Sequence, residues 1–585
     1  MKRNISIDLL KGIAIIAVVL YHLGISEYGY LGVDVFFVIS GYLVTVGLIK
    51  NYRQDKFSYW NFINKRLARL WPGLILIGAV SFILGWFFMM PLHLKLNCES
   101  VIGTITYTNN FVQYITGGDY WTSANEFKPL MHTWYIGILM QFYIIIPVFF
   151  VIAKHWTKDW YLSGYVYITV LTLLSIFIYV SPLMSQSQDF YMLPSRFFEL
   201  GIGSLLALVI LDENNISDTF ITYAFGALLL LIGLLIFGFE IHIMKLRLMI
   251  VTIISVTMVG CSNYFNINLK LQKILLPITF LGVISYSLYL SHQVFFAFYR
   301  YIVNNLFSLV TYIYILLLTI VIGVILYYLF ERPLSQYIAK KPNNIYRING
   351  ICLILVIILS TASLYCYKHN GLIRDIPELC LFTGQDNVTP EEYNNAPFSL
   401  NVDFEDNGKK NILIIGDSFG RDWANILQES GVDSVMNISY TMYVNENTKK
   451  RLAEADYVFV ATYLPFFTSY NYELIYPELF NRKFWRVGLK SFGEKFIGNI
   501  YNNRHTNEYF ETSVFEKEFS KNINLYEKEL FKENFIDMMT PIMKADGSIQ
   551  LFTEDQLLIT EDGIHLTKAG AKMYAEKLDV WQYLK

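Results

Sequence analysis

Ser418 stands in NILIIGDSFGRDW, where residues 412–415 read as a short buried strand, Gly416 permits a tight turn and Asp417-Ser418 opens a helix running through Arg421 to Leu427. A serine at a strand-to-helix turn projects its hydroxyl from the carboxyl edge of a sheet and faces the unpaired N–H groups of the helix start. That placement suits a nucleophile and the oxyanion its attack creates. Near the other end of the chain, EDGIHLTKAGAKMYAEKL sets Asp562 three residues before His565, with Thr567 as the N-cap of a last helix. A Gly-Asp-Ser alone is a weak signal.

A second set of ionisable residues lies in apolar sequence at the other end of the chain. Asp8, Lys11 and His22 are separated by 3 and 11 residues, and at about 100° per residue all three fall within roughly 40° of one helix face. Ionisable groups are costly in a bilayer and normally face a bundle interior or a water-filled path, which makes this stripe a functional candidate. The plainer reading is an Asp8–Lys11 ion pair that orients helices, with His22 at an interface. Asp34, in GYLGVDVFFVISGYL, is a further ionisable group at the entrance to the next apolar stretch. Arg66 and Arg69 in NKRLARLWP stand three apart just before the third apolar helix and share a face. Such a pair can clamp phosphates, or simply anchor the helix on the cytoplasmic side. Arg196 and Glu199, at i and i+3 in SRFFELGIG, read either as a charged site or as an ion pair pinning a helix end at a membrane edge. His132, Trp134 and Tyr135 are placed at an outer interface, where aromatic residues belong. His132 is a candidate for a place near the acyl path described below, and His292 reads as a core histidine.

The elements that must position these residues follow from composition. Of the 585 residues, 54% are hydrophobic and 17% aromatic, with 46 basic and 48 acidic residues. Disorder, collagen and nucleic-acid binding are excluded. Charge is uneven: 38 of the first 366 residues are charged against 56 of the last 219, with net charges of +8 and −10. We read a membrane unit followed by a water-soluble one. Eleven apolar segments approach the length of a span, near 5–23, 31–49, 71–90, 133–153, 161–181, 197–211, 219–239, 247–261, 275–297, 307–330 and 349–366. The basic stretches 50–70 and 331–348 put those loops and Met1 in the cytoplasm and residue 400 outside. Lys245 and Arg247 on the outer side, and Asp212, Glu213 and Asp218 on the inner, run against that rule and point to one misread short segment. Asp8 and Lys11, with no small-residue cleavage site after them, argue against a cleaved signal peptide. Five cysteines (98, 261, 352, 366 and 380) form no CxxC, so no metal or thiol-redox site is expected; Cys380 is either free or paired with Cys366.

The blocks IDLLKGIAIIAVVLYH, GVDVFFVISGYL, RLARLWP, PLMHTWYIGILMQFYIIIP, SRFFELGIG, GVISYSLYLSHQ and YYLFERPL, in that order across residues 5–334, resemble the membrane acyltransferase-3 family of bacterial carbohydrate O-acyltransferases. The resemblance implies transfer of an acyl group, usually acetyl from cytoplasmic acetyl-CoA, to a sugar hydroxyl on the outer side. The family's Arg-x10-His pattern falls on Lys11 and His22, and its Arg-x-x-Arg pattern on Arg66 and Arg69. Lys11 keeps the charge of the usual arginine without its fork. Ile138 and Leu139 stand where many members carry Val-Glu, so no acid is assigned there.

Residues 411–580, through Gly416-Asp417-Ser418 and Asp562-x-x-His565, resemble the SGNH (GDSL) hydrolases, an α/β/α sandwich that often follows an acyltransferase-3 unit. The resemblance implies Ser418 as nucleophile, His565 as general base and Asp562 as the carboxylate that orients the imidazole. Phe419 replaces the name-giving leucine. The family's oxyanion Gly and Asn blocks are not recognisable, which leaves the Ser418 N–H as the one assignable donor.

The expected architecture is a polytopic α-helical membrane domain of about eleven transmembrane helices followed by an extracytoplasmic α/β/α SGNH-like domain. The membrane domain covers 1–334, a linker with an extra span 335–370, a second linker 371–410, and the SGNH-like domain 411–585. The expected function is an O-acetyltransferase of the cytoplasmic membrane. Arg66 and Arg69 dock acetyl-CoA as donor substrate, Lys11, His22 and Asp34 line the acyl path with His22 as base, and Ser418 passes acetyl to an envelope glycan such as O-antigen, exopolysaccharide or peptidoglycan. No bound cofactor and no metal are expected. Two alternatives are a membrane-anchored glycan O-acetyl esterase and a membrane binding or transport module with a silent outer domain. One span would suffice for an anchor, and the Ser418, Asp562 and His565 set weighs against silence.

Overall fold

The computed structural model describes residues 4–116, 126–156, 160–210, 244–262, 269–302, 309–340, 344–371, 390–442, 444–466, 483–493 and 506–585, with isolated positions between these stretches. The chain divides into two compact units, with the main boundary after Gly371.

The first unit is helical. Among the described residues nine helices are long and apolar enough to cross a membrane, or ten if one bent pair counts as a span. The segment 219–239, the acidic residues 212, 213 and 218, and Cys380 lie outside the described residues. Two expectations change. The span near 275–297 is two helices, broken at Ile284 and bent by 66°; mean hydropathy is blind to a bend. Arg66 and Arg69 do not precede the third helix but lie inside it, because Ser58 caps a helix that starts at Tyr59 and runs to Phe88. Lys, Arg and Leu are good helix formers, so the basic stretch extends the apolar one. We label α1 Ile5–His22, α2 Gly32–Arg53, α3 Tyr59–Phe88, α4 Trp134–Trp156, α5 Leu193–Ile210, α6 Leu269–Val283 and α7 Ser285–Ile302.

Close approach through glycine sets the positions of α1 and α2. A Cβ on Gly12 would meet the Ile278 carbonyl at 2.1 Å, and one on Gly282 would meet the Asp8 carbonyl at 1.8 Å, so α1 and α6 touch backbone to backbone. Gly41 and Gly203 do the same for α2 and α5, against the carbonyls of Leu200 at 2.0 Å and Val38 at 2.2 Å. Small residues are what allow helices to pack this tightly in a bilayer.

The second unit carries a five-stranded sheet, all parallel: β1 Lys410–Gly416, β2 Met436–Thr441, β3 Tyr457–Ala461, β4 Lys483–Val487 and β5 Phe535–Ile536, in the order β2-β1-β3-β4-β5. Ile412 and Ile414 point into one core with Trp423, Phe459 and Ala571, while Leu413 and Ile415 point into another with Leu452, Val458 and Phe531. Both faces of the sheet are therefore covered, as an all-parallel sheet requires. Arg486 on β4 is wholly buried; it pairs with Glu527 at 2.8 Å and donates to the Val460 and Thr462 carbonyls, tying β4 to the end of β3. In this strand order the chain reverses direction between β1 and β3, and ligands of open parallel sheets bind at the carboxyl ends beside such a reversal. Ser418 follows β1 at that place. Cys366 is buried.

Candidate active site

In the second unit, α8 (Ser418–Glu429) begins directly after β1. Gly416 is obligatory there, since a Cβ would meet the Ala461 carbonyl at 1.8 Å. Asp417 caps the helix: Oδ1 accepts from the Phe419 N–H at 2.9 Å and Oδ2 from the Tyr463 N–H at 2.8 Å, which fastens the Ser418 turn to the loop after β3. Ser418 is the first residue of the helix, so no helix carbonyl is available to its N–H. Thr567 caps α9 (Lys568–Leu578) by accepting from Gly570 N–H at 3.1 Å, as its sequence position suggests.

Asp562 and His565 meet. Asp562 Oδ2 lies 2.5 Å from His565 Nδ1, and Oδ1 accepts from the backbone N–H groups of Ile564 at 2.8 Å and His565 at 2.7 Å. Burial opposes the charge on Asp562, but the His565 imidazolium and these donors outweigh it and hold the carboxyl well below the usual carboxylate range. Burial likewise works against charging His565, and the Asp562 carboxylate outweighs it, raising the imidazole above its ordinary value of 6.5. Sequence reasoning missed Asp422 and Lys490. Asp422 lies one turn after Ser418 on the same helix face, and its Oδ1 accepts from Leu566 N–H at 3.2 Å, so the residue next to His565 is fastened to the helix that Ser418 opens. Lys490, almost wholly buried, pairs with Asp422 Oδ2 at 2.5 Å and covers the Phe419 ring at 3.8 Å. No local spacing reveals that pair, because the two residues lie on different elements.

In the first unit, Lys11, Arg66 and Arg69 line one cavity of about 150 Å³, with Ser40, Tyr135, Tyr143, Tyr286 and Tyr289. Arg66 lies over the rings of Phe62 at 5.0 Å and Tyr143 at 4.8 Å. Leu139 is also in the wall, at the position where an acid was not assigned. A second cavity of about 470 Å³ shares Arg69 and Tyr286 and adds Lys65, Ser287 and Glu331. Glu331 ends a π-helical turn and accepts from Ser287 Oγ at 2.6 Å; π turns of this kind recur at functional sites. Asp8 Oδ1 is 3.9 Å from Lys11 Nζ. His22 lies elsewhere on α1, about 16 Å from Lys11 at 1.5 Å per residue, and its ring is 5.1 Å from that of His292.

Packing sets the partners of the remaining candidates. Asp34 does not join Lys11 and His22: its Oδ1 is 2.9 Å from Arg196 Nη1, which is also 2.9 Å from Glu199 Oε1, while Arg196 Nε donates to the Phe190 carbonyl at 3.1 Å. Arg196 and Glu199 do form an ion pair, and both are buried in the bundle, where the charges need one another. His132, Trp134 and Tyr135 are buried too. Among the described residues no group of His, Cys, Asp and Glu side chains could hold a metal ion.

Basic and aromatic side chains of the helical unit thus converge on one cavity, and the family model described as an acyltransferase domain, of the acyltransferase-3 type, matches residues 4–329. That is more than half of the chain, and the chain belongs to this family of acyltransferases. It is 27% identical over 380 residues to the O-acetyltransferase OatA of Staphylococcus aureus, covering 60% of this chain and 61% of that protein. It is 28% identical over 302 residues to the peptidoglycan O-acetyltransferase OatA of Listeria monocytogenes, covering 49% and 48%. An uncharacterized protein of Haemophilus influenzae is 31% identical over 186 residues, 30% of this chain and 73% of its own length. The chain spans about three fifths of the length of the Staphylococcus relative and about half of the Listeria one. No solved structure matches the chain.

Proposed function

We propose that the protein is an O-acetyltransferase that carries acetyl from cytoplasmic acetyl-CoA across the bacterial cytoplasmic membrane to a hydroxyl of an envelope glycan. The observation that carries this reading is the convergence of Lys11, Arg66 and Arg69 on one cavity inside an acyltransferase unit. Three cations beside tyrosine rings suit a phosphate-bearing donor. The thioester end would point towards Tyr289, which lines the cavity and packs against His132 and His292 at ring distances of 5.2 and 5.6 Å. His22, in the same histidine group, serves as the base.

The second unit acts on the outer side as an SGNH-type domain, supported by its parallel α/β sheet, the serine at the chain reversal and the Asp562–His565 pair. Ser418 Oγ attacks the acetyl carbonyl while His565 takes its proton and the Ser418 N–H faces the developing oxyanion; the group that carried the acetyl then leaves with the proton from the imidazolium, which returns His565 to its neutral form. The acceptor hydroxyl then attacks the acetyl-serine, His565 takes the hydroxyl proton and the serine leaves with a proton from the imidazolium. Peptidoglycan is the first acceptor to test, because the Listeria relative is named for it. Mass spectrometry of peptidoglycan, lipopolysaccharide and secreted polysaccharide from cells with and without the protein tests the proposal. One of these glycans should lose its O-acetyl groups in the deletion strain, and unchanged acetylation of all three would refute it.

A further inference from the structure

The membrane unit buries three histidines from three different elements. His22 ends α1, His132 lies in the 3-10 turn Met131–Thr133 before α4, and His292 is on α7. His22 and His292 have ring centroids 5.1 Å apart and His132 and His292 5.0 Å apart, so His292 is in the middle. At such separations tilted rings bring their edges together. None of the three is more than 8% exposed. Ordinary core packing would not require imidazoles at all three places.

One helix fixes the group. From α7, Arg300 Nη2 donates to the His22 carbonyl at 2.8 Å and the Tyr289 hydroxyl donates to the His132 carbonyl at 2.5 Å, while His292 belongs to α7 itself. The state of the His292 ring follows from its partners. Nδ1 is 3.1 Å from the Leu288 carbonyl and 2.8 Å from the Tyr289 carbonyl. Carbonyl oxygens only accept, so Nδ1 carries the hydrogen and Nε2 is left with a lone pair. That Nε2 is wholly buried and has no hydrogen-bond partner among the described residues. A buried acceptor of this kind is expensive unless a donor reaches it.

We propose that His292 is a positioning residue for acyl transfer, whose Nε2 lone pair, unpartnered among the described residues, takes up the N–H of the neighbouring His22 during the acyl step and so keeps the other His22 nitrogen unprotonated and available as a base. The inference rests on the reading of His22 as the base of the membrane step. It assigns to His292 the work that a carboxylate does in a Ser-His-Asp set, with the backbone of α7 fixing the acceptor's tautomer. A neutral orienter avoids placing another charge in the bilayer.

The test uses the full-length protein in inside-out membrane vesicles, which hold endogenous acceptor and expose the donor side. Release of CoA is measured against acetyl-CoA concentration for the wild type, His292→Phe, His292→Gln and His22→Ala. His292→Phe keeps a ring and removes the lone pair; it should lower the maximal rate by about a hundredfold, as misplacement of a reacting group does, and leave KM for acetyl-CoA within about twofold. Gln offers a carbonyl oxygen near the Nε2 position and should recover at least about tenfold over Phe on the same scale. A wild-type rate in His292→Phe would reduce the ring to packing and overturn the proposal. If both variants fail to fold, 15N spectra of histidine-labelled wild-type protein in nanodiscs decide: His292 must be the Nδ1–H tautomer, and an Nε2–H tautomer overturns the inference. Loss of CoA release in His22→Ala with a normal rate in His292→Phe would sink this inference alone, whereas a normal rate in His22→Ala would sink the underlying reading.

Discussion

The two chemical centres are assembled in opposite ways. Asp562 and His565 lie in one turn of chain, 2.5 Å apart, and Ser418 is set by the strand and helix that flank it. In the membrane unit Lys11, Arg66, Arg69, Tyr135, Tyr286 and Tyr289 come from α1, α3, α4 and α7 and meet only because those helices pack. A locally built centre depends on its own loop. A centre built by helix packing depends on contacts such as Gly12 with Ile278 and Gly282 with Asp8, which touch no reacting group. The centre of the second unit should thus survive changes that silence that of the membrane unit.

The largest effect should come from the centre of the second unit. In full-length protein, Ser418→Ala and His565→Ala should each reduce hydrolysis of a small chromogenic acetyl ester by roughly 10⁶, and the double variant by no more, because the two act as a unit; Asp562→Asn should cost only about 10⁴. Additive losses would break the comparison, since they would mean that the serine and the histidine do not share a step. His22→Ala comes next. It should cut glycan acetylation in cells by about 10²- to 10⁴-fold, the range for a positioned base, while ester hydrolysis by the same protein remains at the wild-type level. Acetate released by mild base from the glycan measures the first quantity. Equal loss of both activities would show that the centres are not separable.

The same contrast explains what could be read from the chain alone. The Asp562-x-x-His565 turn and the Thr567 cap are contacts at three residues' separation, so spacing reports them directly. The shared face of Arg66 and Arg69 is legible for the same reason, and both line the cavity. Asp34 and Arg196 are 162 residues apart, and nothing in their neighbourhoods names the partner, so that pair is not legible in the sequence. Lys490 and Asp422 escaped notice likewise. Periodicity told that the apolar segments were helices, but not that α3 begins at Tyr59 or that Ile284 separates α6 from α7. A bend and a burial partner are properties of packing, which hydropathy averages away.

Donor recognition should give a smaller effect. Replacing Arg66 or Arg69 by Lys keeps the charge and removes the planar fork that grips phosphate. KM for acetyl-CoA should rise about tenfold per substitution, the order of one charge-assisted hydrogen bond, with little change in the maximal rate. Arg66→Lys should be the more damaging of the two, because it also ends the stacking over Phe62 and Tyr143. CoA release by inside-out vesicles measures both constants, and an unchanged KM in both variants would move the donor away from this cavity.

The smallest effect is a displaced pH profile, and its sign follows from the environment of His565. If the neutral imidazole is the base, as proposed, activity should rise with pH as the imidazolium loses its proton. Burial alone would put that transition below 6.5, and the Asp562 carboxylate reverses it, with Asp422 assisting and Lys490 opposing. Ester hydrolysis by the wild-type protein should therefore show a rising limb above pH 6.5. In Asp562→Asn the charge is gone, burial is no longer outweighed, and the limb should move to lower pH even as the plateau falls. The shift and the fall have different causes: the first is lost attraction for the imidazolium proton, the second a misdirected tautomer. A profile of kcat/KM between about pH 5 and 9 for both proteins separates them. A limb that stays in place in Asp562→Asn would mean that Asp562 holds the His565 ring without tuning it, and the outer centre would owe its basicity to Asp422 across the helix rather than to its own turn.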